Sequence, residues 1–304
     1  MNQLLAIPTF PRLKRLRHAA ALLIEGDCLK AMKAIPDKSV NLILCDLPYG
    51  TTQNKWDSVI PLTSLWKEYS RILAPNGAIV LMGQGPFTAE LIRSNLEDFK
   101  YKLVWIKSKA TNFLNAKKQP LRRHEDICIF YPTQPTYNPV MGEGDAYDKG
   151  VRKDQLTGSY GDFNPVRVKS KGGRYPTDVI YCKTAESEGP VFHSTQKPVE
   201  LGRYLVRTYT NPGDVVLDNA FGSGSFLVAS IMEDRRVIGI EINKSIQAFK
   251  LEPLDLIEVA NKRLSTHLGP DRVQCLLNDQ YGSNSLADYI HKFLGNFDLK
   301  LTVS

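Results

Sequence analysis

The stretch NLILCDLPYG, residues 41–50, runs from apolar residues straight into a carboxylate, a proline, an aromatic ring and a glycine. A turn stiffened by Pro48 and closed by Gly50 can hold the Asp46 carboxylate and the main-chain carbonyl of Leu47 in one plane. Two such acceptors match the two hydrogens of an exocyclic amine. Tyr49 adds a flat face against which a nucleobase can stack, as enzymes that extrude a base for chemistry require. Seen alone, the pentapeptide is equally well a turn that follows a buried strand.

A second cluster, VVLDNAFGSGSF at 215–226, ends an apolar run in a Gly-rich turn and opens a helical pattern. Backbone N–H groups and the helix dipole at such a junction receive polar or anionic cofactors. The place of a third fingerprint glycine after Gly222 and Gly224 is taken by Leu227, which disfavours a pyrophosphate. Downstream, Glu241 ends RRVIGIEIN, where an acidic side chain can accept hydrogen bonds from both ribose hydroxyls. The pair fits a nucleoside cofactor without a pyrophosphate, and S-adenosylmethionine is such a molecule. The bland alternative is a tight turn that packs a helix on a sheet.

These residues need a scaffold that brings strand ends together. AALLIEG, CLKAMKAI, VNLILCDLPYG, LTSLWKEYSRIL and GAIVLMGQG alternate strand and helix patterns with short turns, the rhythm of an α/β sheet with helices on both faces. YKLVWIKS and EDICIFY read as two more strands separated by the basic loop KKQPLRRH, with Trp105 in the core. PVELGRYLVRTYT and FLVASIMED read as helices on either side of the strand before the Gly-rich turn. Ligands of open α/β sheets bind at the carboxyl ends of strands, which sets Asp46 at the mouth of the cofactor cleft. The segment after VANKRL carries no clear pattern.

The 304 residues are 42% hydrophobic and 23% charged, ordinary for a soluble globular chain. Lys and Arg number 39 against 32 Asp and Glu, a net +7 that favours a polyanionic partner. Cys28, Cys45, Cys128, Cys182 and Cys275 are scattered singly, without the spacing of a metal site or a disulfide framework. A reducing, cytoplasmic location and no metal are expected. PRLKRLRHAAALLIEG imitates a signal peptide, but Glu25 interrupts its apolar part, and it reads as a basic arm before a first strand. No run approaches the ~20 apolar residues of a membrane span, so no membrane partner is expected.

DLPYG followed far downstream by LDNAFGSGS resembles the amino-group DNA methyltransferases that use S-adenosylmethionine, in the permuted (beta) class whose catalytic motif precedes the cofactor motif. The resemblance extends through GDCLKAMKAIPDKSVNLILCDLPYG, RRHEDICIFY, YPTDVIYC and HSTQKPVELGRYLVRTYTNPGDVVLDNAFGSGS, most of Leu23 to Asn243. It implies a Rossmann-like, mostly parallel methyltransferase sheet and transfer of methyl to adenine N6 of a base flipped from duplex DNA. By that resemblance Asp46, Leu47, Pro48 and Tyr49 are catalytic, and Asp27, Lys197, Asp218, Phe221, Gly222, Ser223, Gly224 and Glu241 bind the cofactor. Lys197 would neutralise the cofactor carboxylate. Asp27 would accept from the cofactor adenine, or cap the helix CLKAMKAI, or both.

The chain departs from the usual motifs at Leu47, where a proline is usual, and at Asn219, Ala220 and Ser225, with a phenylalanine displaced to Phe221. Ser194 likewise stands where HPTQKP has its first proline. His124 and Glu125 resemble a block near the target base, or form a surface pair. Cytosine N4 is the nearest rival substrate, although its enzymes more often carry Ser at the position of Asp46. More distant rivals are RNA or protein-glutamine methylation and a catalytically idle DNA-binding protein.

The domain reading follows. Residues 1–131 form the catalytic half, 190–279 the cofactor-binding half of the same domain, and 280–304 a tail or docked helix. Between them, 132–189 turns to Pro, Gly, Tyr, Lys and Arg without sustained periodicity, a loop-rich insertion that the resemblance makes the target-recognition region. Its Arg152, Lys153, Arg167, Lys169, Lys171 and Arg174, interleaved with Tyr147, Tyr160, Phe163 and Tyr175, would bind DNA. Composition alone fits a solvated insertion as well. The expected partners are duplex DNA, a cognate nuclease if the chain serves a restriction system, and at most a second copy of itself.

Overall fold

Strands buried on both faces need apolar residues throughout, and the continuous runs of this sequence become such strands. A computed structural model describes residues 6–11, 13, 16–50, 58–151, 167–192, 195–242, 246–247, 253–277 and 283–295. The strands are β1 (Ala20–Glu25), β2 (Val40–Cys45), β3 (Leu73–Gly83), β4 (Phe99–Thr111) and β5 (Arg122–Phe130). Four short ones follow, β6 (Gly142–Glu143), β7 (Tyr147–Val151), β8 (Arg167–Ser170) and β9 (Gly173–Arg174). Then come β10 (Val179–Cys182), β11 (Val215–Asp218), β12 (Arg236–Glu241), β13 (Ile246–Gln247), β14 (Pro253–Leu254) and β15 (Val273–Leu276). The helices are α1 (Cys28–Ala31), α2 (Leu62–Ile72), α3 (Pro86–Ser94), α4 (Val199–Tyr209), α5 (Ser225–Met232), α6 (Leu256–Leu268) and α7 (Ser283–Gly295).

One sheet of nine strands runs β10-β4-β5-β3-β2-β11-β12-β1-β15 among the described residues. β5 is antiparallel to both its neighbours, and the other pairs are parallel. From β2 the chain crosses through α2 to β3 on one side; from β11 it crosses through α5 to β12 on the other. The crossovers diverge between β2 and β11. The carboxyl end of that gap is where open sheets bind ligands.

Both faces of the sheet are covered. On one face Ile24, Ile43, Cys45, Leu217 and Ile240 pack with Leu65, Tyr69 and Ile72 of α2, Phe87 of α3, and Leu286 and Ile290 of α7. The α2 residues recur on one helical face, which is why an amphipathic LTSLWKEYSRI docks there. On the other face α5 lies so close to β12 that a Cβ on Gly239 would stand 2.7 Å from Leu227. α4 and α5 meet at Gly202, whose Cβ would stand 2.7 Å from that of Ala229 and 2.9 Å from the Phe226 ring.

The N-terminal segment is tied to this body. Ile7 N–H donates to the Tyr181 carbonyl at 2.9 Å. Arg203, 1% exposed, donates to the carbonyls of Phe10 and Pro11 and pairs with Glu233 at 2.6 Å. In the basic arm beyond, Arg12, Lys14 and Arg15 lie outside the described residues.

Residues 139–177 form a second compact unit, built from the antiparallel pairs β6–β9 and β7–β8. It is narrower than the insertion read at 132–189. β10 falls within that reading, yet it belongs to the main sheet beside β4; four residues at a sheet edge are too few to register as periodicity. After VANKRL, where the sequence carried no pattern, lie β15 and α7. α7 docks through Leu286, Ile290 and Phe293, so the described part of 280–304 is a docked helix. Among the described residues no helix is long and apolar enough to cross a membrane.

Candidate active site

β2 ends at Cys45, and the next residues turn at the carboxyl edge. The Leu47 side chain is 3% exposed and joins the core of α2 and α3, an anchor where a second proline would otherwise stiffen the turn. The Tyr49 ring stacks on Phe87 at 4.8 Å with 24° between planes, and its hydroxyl donates to Asp46 Oδ1 at 2.7 Å. The face of Tyr49 that meets Phe87 is therefore occupied by protein. The other carboxylate oxygen, Asp46 Oδ2, accepts from Lys197 Nζ at 2.5 Å.

Lys197 also faces Glu125 Oε2 at 3.4 Å, and Glu125 Oε1 accepts from Lys107 Nζ at 3.0 Å. The result is an alternating chain of two carboxylates and two ammoniums, Asp46, Lys197, Glu125 and Lys107. Burial alone would raise the Glu125 pKa, but Lys197 and Lys107 outweigh it and hold it below its ordinary value. Burial likewise opposes the charge on Lys197, and the two carboxylates overcome it and push the Lys197 pKa up. Such a chain is worth little against an apolar core, but removing one member strands a buried charge at about 3–5 kcal/mol. Its root is on the β4–β5 pair, where Glu125 sits opposite Trp105, itself 2% exposed and in the core as expected. His124 is exposed.

Next to β2, β11 ends in Asp218 and leads into the Gly-rich turn. Gly222 and Gly224 have φ of 54° and 76°, the left-handed region where glycine is the unstrained residue. Gly224 lies against α6, with its Cβ position 3.1 Å from that of Ala260, while Gly222 has open space there. Glu241 closes the turn: Oε2 accepts from Gly222 N–H at 2.8 Å and Oε1 from Ile242 N–H at 2.9 Å. Gly26 N–H, at the end of β1, donates to the Glu241 carbonyl at 2.9 Å, which brings Asp27 beside Glu241. The exposed Asp27 side chain caps α1 by accepting from Lys30 N–H at 3.1 Å.

Asp218 is 2% exposed, and burial lifts its pKa to about 8; the Cys45 thiol and the Ala220 N–H oppose the shift. Asn219, where the motif usually has proline, accepts from the Tyr69 hydroxyl at 2.5 Å. Phe221 is 5% exposed and fills the space over Gly239, with its ring 2.8 Å from that glycine's Cβ position. Ser223 is bound by a residue that the sequence did not single out. Arg263 of α6 donates to the Ser223 carbonyl and, at 3.2 Å, to its hydroxyl, and it lies 5.4 Å over the Phe192 ring. His193 and Ser194 lie outside the described residues.

In the 139–177 unit the six expected DNA-binding residues divide. Arg167 forks onto Asp148 at 3.1 and 2.7 Å. That pairing, with the Gly150 N–H, holds the Asp148 pKa below its ordinary value. Arg174 lies 4.8 Å over the Tyr147 ring and donates to Ser170 Oγ at 3.0 Å. Lys169 and Lys171 are exposed, and Arg152 and Lys153, with Tyr160 and Phe163, lie outside the described residues.

Comparison with known proteins meets this geometry. The chain is 28% identical over 262 residues to the DNA adenine methyltransferase YhdJ of Escherichia coli (strain K12), which covers 80% of this chain and 85% of that protein. It is 28% identical over 246 residues to the type II methyltransferase M.HpaI of Haemophilus parainfluenzae, over 77% of this chain and 74% of the other. Among solved structures, the M1.HpyAVI–SAM complex superposes with a TM-score of 0.54 at 19% identity, covering 80% of this chain and 98% of that one. The cytosine-N4-specific PvuII DNA methyltransferase does so with 0.56 at 13%, covering 91% and 93%. These two share the Rossmann-like methyltransferase fold with this chain. A family model described as DNA methylase, of the N6 and N4 amino-group type, matches residues 40–250, from the first residue of β2 through the Gly-rich turn and Glu241, and the chain belongs to that family.

Proposed function

We propose that this DNA methylase transfers the methyl group of S-adenosylmethionine to N6 of an adenine flipped out of duplex DNA. The observation that carries the reading is the Asp46 carboxylate, fixed by Tyr49 at 2.7 Å and Lys197 at 2.5 Å at the switch point between β2 and β11. An aromatic amine is a poor nucleophile because its lone pair is delocalised into the ring. The Asp46 carboxylate and the Leu47 carbonyl accept its two hydrogens, favour tetrahedral nitrogen and aim the lone pair. Pro48 and the buried Leu47 side chain keep the two acceptors in register.

The donor and acceptor set fits the cofactor. Open space beside Gly222 leaves room for a ligand at the turn, and Glu241 and Asp27, on adjoining strand ends, suit a ribose and an adenine. Asp218, Ser223 and Gly224 shape the turn, and Phe221 supports it from the core. In this reading Lys197, which holds Asp46, also neutralises the cofactor carboxylate. S-adenosylmethionine, when bound, supplies the activated methyl group.

Asp rather than Ser at position 46 favours adenine over cytosine, as does the likeness to a relative named as an adenine methyltransferase. Lys169 and Lys171, exposed on the 139–177 unit, support the reading of that unit as the part that meets phosphates. We place the protein in the cytoplasm, as a monomer or homodimer, with a cognate nuclease as partner if it serves a restriction system. The test is to incubate it with labelled S-adenosylmethionine and unmethylated genomic DNA, digest the DNA and identify the nucleoside by mass spectrometry. N6-methyladenine is expected; N4-methylcytosine would move the substrate, and an unmodified digest would reject DNA as acceptor.

A further inference from the structure

The connection between β4 and β5 is a braced turn that holds apolar side chains in solvent. Asn112 enters it at φ 70°, Asn115 Nδ2 donates to Asn112 Oδ1 at 2.8 Å, and Lys118 and Gln119 N–H groups donate back to the Asn115 carbonyl. Its root is fixed as well: Arg123 donates to the Lys107 carbonyl at 3.2 Å, and Gln84 joins Arg122 and the His124 carbonyl. On this frame Phe113 is 76% exposed and Leu114 84%. Surface turns rarely carry a pair of large apolar side chains without an occupant to cover them.

Charge indicates the occupant. From Ser108 to Arg123 the chain has Lys109, Lys117, Lys118, Arg122 and Arg123 and no acidic residue. Two copies of this loop facing each other would set two cationic collars together, whereas a polyanion meets both the collar and the apolar tip. Position agrees. β4 runs parallel to β2, so the loop leaves the same edge of the sheet as Asp46, and Phe113 is six residues, at most ~20 Å of extended chain, beyond Lys107 of the buried charge chain.

We infer that this loop is the wedge that opens the duplex: Phe113 and Leu114 enter the base stack while Lys117, Lys118, Arg122 and Arg123 hold the flanking phosphates. The inference rests on the DNA reading above.

The test is the double variant Phe113→Ser/Leu114→Ser of the full chain, whose altered residues touch solvent. Its melting temperature and its binding of S-adenosylmethionine are expected to match the parent. Methyl transfer to genomic DNA is expected to fall roughly 5- to 150-fold, the worth of one base–aromatic stack. Transfer at the parent's rate overturns the inference, and conversion of a dimer to a monomer with transfer intact assigns the patch to a second copy. If the parent itself transfers nothing to DNA, the DNA reading fails first. Anisotropy with a labelled duplex of mixed sequence then judges the loop separately, and equal affinity for parent and variant overturns it.

Discussion

The Lys197 ammonium stands 2.5 Å from Asp46 Oδ2, a contact between residues 151 positions apart in the chain. One buried cation therefore serves both the turn after β2 and, through Glu125, the β4–β5 pair. Whatever disturbs Lys197 is felt at the proposed target-base acceptor.

Asp46→Ala removes the carboxylate acceptor. Methyl transfer should drop at least ~100-fold in kcat, as loss of an aligned charge-stabilising group does elsewhere. Calorimetric binding of S-adenosylmethionine should stay near the parent's value. Wild-type turnover in this variant would sink the proposed mechanism.

Lys197→Met leaves Asp46 without its ammonium partner and facing Glu125, which keeps Lys107 alone. The expected loss is about 3–5 kcal/mol of stability, read from urea unfolding at neutral pH. Unchanged stability would mean that water screens the chain of charges in solution.

Glu125 and Asp218 shape the pH profile in opposite senses. The Glu125 pKa is lowered in the fold, so its contribution is full above its ordinary 4.5 and is lost as pH falls through the folded value. Asp218 binds its proton more tightly folded than unfolded, so between its ordinary 3.8 and about 8 stability falls as pH rises. Asp218→Asn should flatten that decline, and Glu125→Gln should flatten the acid limb instead. Melting temperatures from pH 4 to 9 compare the two; a decline in Asp218→Asn as steep as the parent's would be the failing outcome.

Gly202→Ala places a methyl 2.7 Å from the Ala229 Cβ and should cost about 1–3 kcal/mol by overpacking α4 on α5. Gly222→Ala meets no atom but must hold φ 54°, about 1–2 kcal/mol of strain. Only the second is expected to weaken cofactor binding out of proportion to its effect on melting. Equal effects of both variants on cofactor affinity would contradict this.

Arg263→Met keeps most of the stem and removes the guanidinium from Ser223. Losing charge-assisted hydrogen bonds of about 1.5–3 kcal/mol should loosen the turn and raise the cofactor Kd roughly 10-fold or more. Unaltered affinity by calorimetry would show that the turn holds its shape without α6.

What could be read without coordinates follows from burial. β2 and β11 show as apolar runs, broken only by Asn41, because both faces are covered, and Asp46, just past the end of β2, and Asp218, at the end of β11, follow from that alone. β10 escaped because four residues at an edge carry no period. Arg263 escaped because helical spacing says which face a side chain leaves from, not where a long flexible stem ends. The pairing of Lys197 with Asp46 and Glu125 depends on three distant segments meeting, which no local pattern encodes. Phe221, displaced from the family's usual phenylalanine position, lies in the core over Gly239, because a small residue in β12 makes room for it.

β2 and β11 lie side by side, but α2, β3, α3, β4, β5 and the 139–177 unit are all made between them. During synthesis Asp46 emerges long before Lys197, and β2 waits with one edge unpaired until β11 arrives. At about 5–20 residues per second that interval lasts on the order of ten seconds. An exposed strand edge invites pairing with another nascent chain for as long as it stays open. Assembly of the site is thus a late, long-range closure, and the nascent N-terminal half carries an open strand edge until β11 is made.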